Sequence, residues 1–132
     1  MINALRMYGN NYAQAQNQAR QDMISQRYNE IYAHELAHKS AGGNLAGGIV
    51  IERDANGVPV GGHVPIKMPS LNKNNPDKTI QDANTVIRSA MAPSDPSDQD
   101  FRVASQARFI KSQAEDFKRQ NPQVGQKLNV SV

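Results

Sequence analysis

The motif at residues 34–38, which reads H-E-L-A-H, constrains this chain more than any other feature of its sequence. It lies in residues 23–41, a stretch without Pro or Gly in which apolar or aromatic side chains recur at roughly helical spacing. Gly42 and Gly43 follow, and glycine favours the backbone conformation in which helices end. The pattern predicts an α-helix over 23–41 that carries the motif. The recurring side chains are Ile24, Tyr28, Ile31 and Leu36.

The spacing of the two histidines in this motif is that of metal ligands. On a helix, His34 and His38 lie on one face about 6 Å apart along the axis, so both imidazoles can bind one Zn²⁺ ion. Glu35 lies beside that ion and can take a proton from a water that zinc activates. Because two of the chain's three histidines have this spacing, we expect a zinc site with Glu35 as catalytic base rather than three unrelated helix residues.

A third zinc ligand has to come from outside the motif. His63 is the first candidate, because imidazole binds zinc and the preceding Gly61-Gly62 lets the backbone approach the helix closely. Glu30, on the same helix face, and Glu52, on the segment that follows, are the main alternatives, and Asp54 is a weaker one. The sequence alone leaves these alternatives open.

Other classes of site are excluded or disfavoured. The chain has no Cys, which excludes disulfides, thiolate metal sites and cysteine nucleophiles. The metzincin continuation of the motif requires a Gly and a third His where this chain has Ala41 and Asn44, so that class is disfavoured.

A β-hairpin is expected after the motif helix. The β-prone runs Ile49–Glu52 and Val58–Val60 flank the turn sequence Asp54–Gly57, which contains Asn-Gly. Pro59 cannot donate a ladder hydrogen bond, so it places the second strand at an edge or against a bulge.

Two further helices are predicted in the second half of the chain. Asp77 or Thr79 can cap the first, which runs to about Met91, and Ser94 or Ser97 can open the second. The side chains expected toward the core are Ile80, Ala83, Val86, Ile87 and Ala90 in the first helix, and Phe101, Val103, Ala104, Ala107, Phe109, Ile110 and Ala114 in the second.

The order helix, hairpin, helix, helix indicates a small α+β domain over residues 23–118. Residues 1–22, rich in Asn, Gln, Ala and Arg, are expected to form a polar extension or a fraying helix, and residues 119–132 a C-terminal tail. A core of this size is marginal without further support, and a bound metal would help to stabilise it.

Charge and hydropathy limit the partners and the location. The net charge is only +3, and the basic tract at 102–119 also contains acidic residues, so we expect a solvated helix face and no nucleic-acid binding. No apolar run is long enough to span a membrane. The first residues lack the apolar core and cleavage site of a secretory signal, which favours the cytoplasm but leaves non-classical export open.

Several short segments resemble the SprA-related family of proposed bacterial metalloproteases. The resemblance extends over about residues 28–115 and rests on A-H-E-x-A-H, G-G stops, a turn with Gly, and the linker A-P-x-x-P-S-x-Q-D. In this chain the segments are Ala33–His38, Gly42-Gly43, Asn56-Gly57, Gly61–Ile66 and Ala92–Asp100. The family usually has Glu at the position after Gly61-Gly62, where this chain has His63, and aromatic residues in the hairpin where it has Ile49 and Ile51.

The resemblance implies a zincin-like protein with His34 and His38 as zinc ligands and Glu35 as catalytic acid and base. It agrees with the expectation from the motif, a zinc-dependent metallopeptidase that acts on a protein or peptide substrate, with His63 as the expected third ligand. The alternative is a zincin-derived interaction module in which zinc is structural. Neither the pattern nor the resemblance predicts an oligomeric state.

Overall fold

The computed structural model describes residues 2–125. These residues form three α-helices and one antiparallel β-hairpin, which confirms the predicted α+β class. The elements in chain order are α1 (Ile2–Gly42), β1 (Val50–Arg53), β2 (Pro59–His63), α2 (Pro76–Ala90) and α3 (Asp98–Gln120), with short 3₁₀ turns at Gly43–Leu45 and Pro122–Gly125.

Helix α1 is much longer than the predicted 23–41, because it begins at Ile2. The side chains of residues 6–23 are all exposed, so packing does not explain this extension. Ala, Gln and Arg are good helix formers, and adding residues to an existing helix avoids the cost of nucleating a new one. The helix ends at Gly42, and Gly43 has a positive φ of 53°, as expected for the glycine stop.

The hairpin forms where it was expected, with strands displaced by one or more residues from the predicted limits. Val50 pairs with His63 and Ile51 with Gly62, while the register shifts between Glu52 and Arg53. This irregularity lies opposite the segment that begins with the buried Pro59, so the expected bulge is present. At its other end, β2 extends beyond the predicted Val60 and includes His63.

The helix caps were predicted in part. Asn75 caps α2 by accepting a hydrogen bond from the Lys78 backbone N–H, so the prediction of Asp77 or Thr79 was wrong. Thr79 instead lies buried and joins the preceding loop, donating to the Ser70 carbonyl. Ser97 caps α3 as expected, in a reciprocal capping box with Asp100.

The core lies between α2 and α3 and is made of small side chains, since five of the six buried apolar residues in the described part of the chain are alanines. Phe101 and Phe109, which were predicted to face the core, are 47% and 64% exposed. Close packing of α3 on α2 through alanines leaves no space for these rings between the helices. The buried apolar residues are Ala83, Val86, Ala90, Ala104, Ala107 and Ala114.

Helix α2 occupies the centre of the fold, because it packs against both α1 and α3, and β2 packs against α1. Within residues 2–125, no Cα atom of α1 lies within 8 Å of one in α3. The two helices nevertheless approach each other through side chains at the motif. None of the helices described is long and apolar enough to cross a membrane.

Candidate metal centre

His38 is held in one orientation by helix α2. Its side chain is nearly buried, and its Nδ1 lies 2.7 Å from the backbone carbonyl oxygen of Ser89. A carbonyl only accepts hydrogen bonds, so Nδ1 carries the proton and donates it. In the neutral ring Nε2 then has a lone pair, and a hydrogen bond of this kind is what orients a histidine that binds a metal.

His34, one turn earlier on α1, directs its Nε2 toward the same point. The Nε2 atoms of His34 and His38 lie 3.1 Å apart, and the two rings meet edge to face. Neighbouring ligand atoms of a tetrahedral zinc ion with bonds of about 2.0–2.1 Å are separated by about 3.3–3.4 Å. The two imidazoles therefore have a separation that fits one zinc ion.

Asp100, in the first turn of α3, brings a carboxylate to this pair. Its Oδ2 lies 3.2 Å from Nε2 of His34 and 3.2 Å from Nε2 of His38. The same oxygen accepts a hydrogen bond of 2.9 Å from the Ser97 backbone N–H. Asp100 belongs to the segment that resembles the family, but its place beside the histidines was not predicted from the sequence.

Glu35 lies beside the histidines with only 5% of its surface exposed. One carboxylate oxygen lies within 4.8 Å of a ring nitrogen of both His34 and His38, so the three residues form a group able to hold a metal ion. Burial raises the pKa of Glu35 above its ordinary value. His38, His34 and His63 oppose this shift, and the Asp100 carboxylate adds to it. A raised pKa is typical of a carboxylate that transfers protons.

The glycine pair of β2 brings the hairpin onto Glu35. A Cβ atom at Gly62 would lie 2.9 Å from Cγ of Glu35, 2.8 Å from Cγ2 of Ile31 and 3.0 Å from the Val50 carbonyl oxygen. Only glycine fits at this position without displacing a neighbour. The hairpin thereby forms one wall of a cleft of about 290 Å³ that contains the histidines.

The cleft is lined by residues from all four segments around it. Helix α1 contributes the motif, β2 and the loop after it contribute four residues, and α2, α3 and the Ser97 cap contribute the rest. The lining residues other than the motif are Gly62, His63, Val64, Ile66, Ser89, Ala90, Ser97, Gln99, Asp100 and Val103.

His63, the predicted third ligand, lies at the wall of this cleft but outside the group of converging ligand atoms. Its side chain is 53% exposed, and its Nδ1 is 3.0 Å from Oε1 of Glu52, to which it donates. The structure thus brings together two of the candidate residues, His63 and Glu52, as a pair. Whether His63 binds a metal stays a prediction.

The remaining candidates lie elsewhere. Glu30 is exposed and accepts a hydrogen bond of 3.1 Å from the Gln26 side chain on the same helix. Asp54 lies in the hairpin turn, where its carboxylate accepts from the backbone N–H groups of Asn56 and Val58. These hydrogen bonds stabilise the turn, so the position of the Asp54 carboxylate is explained without a bound metal.

Together the fold and the site define a small α+β domain in which an H-E-x-x-H helix presents a His-Glu-His group able to hold a metal ion. The chain belongs to the SprA-related family, whose family model matches residues 2–126. The match is longer than the expected 28–115 and includes the N-terminal part of α1. Comparisons with curated proteins and with solved structures gave no significant match.

Proposed function

We propose that this protein is a zinc-dependent metallopeptidase that hydrolyses peptide bonds, with Glu35 as the general base. The observation that carries the proposal is the position of Glu35, a nearly buried carboxylate next to two converging imidazole nitrogens in an open cleft. A purely structural metal site has no use for a buried carboxylate beside its ligands that does not itself bind the metal.

His34 and His38 would hold the zinc ion through their Nε2 atoms. The donor set supports zinc, since neutral imidazole and carboxylate are among its usual protein ligands and the chain has no Cys to make a thiolate site. When bound, zinc supplies a water of lowered pKa and polarises the carbonyl of the scissile bond.

Glu35 performs the proton transfers in this proposal. Its carboxylate takes a proton from the attacking water and then delivers that proton to the nitrogen of the leaving amine. Burial serves this role, because a carboxylate with few competing water molecules around it exchanges protons with the reacting groups rather than with bulk solvent. Contact between Gly62 and the Glu35 side chain keeps the carboxylate beside the histidines.

The hairpin is the proposed binding element for the substrate. A peptide in extended conformation can pair with the edge of a strand through main-chain hydrogen bonds. The sequence motivates this role for Ile49–Glu52, but no residue of β1 lines the cleft. The strand β2 contributes Gly62 and His63 to the cleft, and among the described residues it has only β1 as a neighbouring strand, so its other edge is the one proposed to pair with substrate. The proposed substrate is therefore an extended peptide or an unfolded segment of a protein.

Replacing Glu35 by Gln tests this function. The change keeps size and helix propensity, so zinc binding should persist while hydrolysis of a peptide mixture falls roughly 100-fold or more. Glu30→Gln is the matched control, because it makes the same change on the same helix at an exposed position. The proposal is wrong if Glu35→Gln cleaves peptides as fast as the parent.

The alternative function is an interaction module in which zinc is structural. The observation that favours it is the core of alanines, which buries little apolar area and would gain stability from a metal. In that case the parent protein binds zinc but cleaves no peptide, and Glu35→Gln changes neither stability nor partner binding.

A further inference from the structure

We infer that Asp100 is the third metal ligand, completing a site with His34 and His38. The inference rests on the proposed zinc site, and it places on α3 a ligand that the sequence predicted on the hairpin or on α1. It also gives the metal a second role, because the ion would connect two helices whose backbones do not meet.

The separations among the three atoms carry the assignment. Nε2 of His34, Nε2 of His38 and Oδ2 of Asp100 form a triangle with sides of 3.1, 3.2 and 3.2 Å. Ligand atoms about 2.0–2.1 Å from a tetrahedral zinc ion lie about 3.3–3.4 Å from one another. All three sides are within a few tenths of an ångström of that value, so one ion can contact all three atoms.

The chemistry of the three atoms agrees with their spacing. The hydrogen bond from Nδ1 of His38 to the Ser89 carbonyl leaves Nε2 of the neutral ring as an acceptor. An ionised carboxylate oxygen is also an acceptor, and two such groups at 3.2 Å repel each other unless a proton or cation lies between them. A divalent cation bound by all three atoms removes this repulsion.

Asp100 is held in place for this role before any metal binds. Its Oδ2 accepts from the Ser97 backbone N–H at 2.9 Å, and its own backbone N–H donates to Oγ of Ser97 at 3.1 Å. The side chain is only 15% exposed. The N-terminal capping box of α3 therefore fixes the carboxylate, and this reduces the entropy lost when a ligand is ordered.

His63 has a different environment. Its exposed ring donates through Nδ1 to Oε1 of Glu52 at 3.0 Å, so this nitrogen is already engaged in an ion pair on the hairpin. Two imidazoles and one carboxylate leave one tetrahedral position for water, as a hydrolytic site requires. With Asp100 as ligand, His63 is not needed to complete the site.

The test compares zinc affinity of the full chain and three variants by competition with a chromogenic chelator. Asp100→Asn keeps an oxygen that can accept a hydrogen bond from the Ser97 backbone N–H but removes the charged ligand, so zinc affinity should fall roughly 100-fold or more. His63→Ala should stay within about threefold of the parent. Ser97→Ala removes a partner of the capping box without removing a ligand, and it should stay within about tenfold.

Several outcomes overturn the inference. Asp100→Asn with the affinity of the parent shows that Asp100 is not a ligand, and a large loss in His63→Ala alone moves the third ligand to His63. Circular dichroism of the metal-free proteins shows whether a variant has lost a ligand or has lost its fold. If Ser97→Ala loses as much zinc affinity as Asp100→Asn, the effect is due to the helix cap and Asp100 is not a ligand. A parent chain that binds no zinc overturns the proposed function as well, whereas the other outcomes leave it standing.

Discussion

Ser89 and His38 are joined by two hydrogen bonds of 2.7 Å that run in opposite directions. Nδ1 of His38 donates to the Ser89 carbonyl, and Oγ of Ser89 donates to the His38 carbonyl. Both residues are buried, so these bonds fix α2 against the face of α1 that carries the motif. Gly42 contributes to this contact, because a Cβ atom there would lie 3.0 Å from Oγ of Ser89.

Replacing Ser89 by Ala should therefore weaken the site from a distance. The variant keeps the carbonyl that orients His38 but loses one buried hydrogen bond, at a cost of about 1 kcal/mol in the free energy of unfolding. Zinc affinity should fall about tenfold, because the His38 ring is less firmly positioned. Chemical denaturation and zinc titration measure both effects, and Ser105→Ala, at an exposed position on α3, is the control. A normal zinc affinity would show that this contact does not position His38.

Adding a side chain at Gly62 should displace the proposed general base, Glu35. The added methyl group of Gly62→Ala would meet both the Glu35 and the Ile31 side chains, and overpacking of this kind costs about 1–3 kcal/mol. We expect hydrolysis to fall more than zinc affinity, since the contact acts on Glu35 and not on the histidines. Gly48→Ala is the control, because a Cβ there meets no atom within 4 Å. Equal activity of the two variants would count against a positioning role for Gly62.

Removing the metal should lower the melting temperature. Zinc at a free concentration 100-fold above its Kd stabilises the folded state by about 2.7 kcal/mol, which corresponds to roughly 5 °C or more for a domain of this size. Zinc added to the metal-free protein should restore the transition. An unchanged melting curve after verified removal would mean that the metal does not connect separate elements.

Hydrogen exchange can locate that stabilisation. If Asp100 is a ligand, the metal joins the first turn of α3 to α1, and zinc should slow amide exchange in both places. The exposed residues 6–23 of α1 should exchange at the same rate with and without zinc. Protection confined to the hairpin would instead favour His63 as the third ligand.

The motif helix and the hairpin could be predicted because their signals are local. Helical spacing, glycine stops and turn residues act within a few positions of one another. The capping role of Ser97 could be predicted for the same reason, since its partner Asp100 is three residues away. For residues 1–22 the sequence left a polar extension and a fraying helix as alternatives, because apolar periodicity does not distinguish a disordered polar segment from one that extends a helix.

The meeting of Asp100 with the histidines could not be read from spacing. His34 and Asp100 are 66 residues apart, and they meet because α2 packs against both α1 and α3. An acidic residue at the third position of a helix is also explained by the capping box, so the sequence gives no reason to expect that Asp100 lies beside the histidines as well. The exposure of Phe101 could not be predicted for a similar reason. It depends on the packing of α3 against α2 through alanines, which the sequence alone does not show.

The central claim is that the motif binds zinc, and elemental analysis of the full chain tests it most directly. The measurement compares protein purified after growth with zinc, before and after dialysis, with a His34→Ala His38→Ala double variant prepared in the same way. We predict about one zinc ion per chain in the parent and close to none in the double variant. A parent without stoichiometric zinc, or a double variant that retains it, would contradict the account.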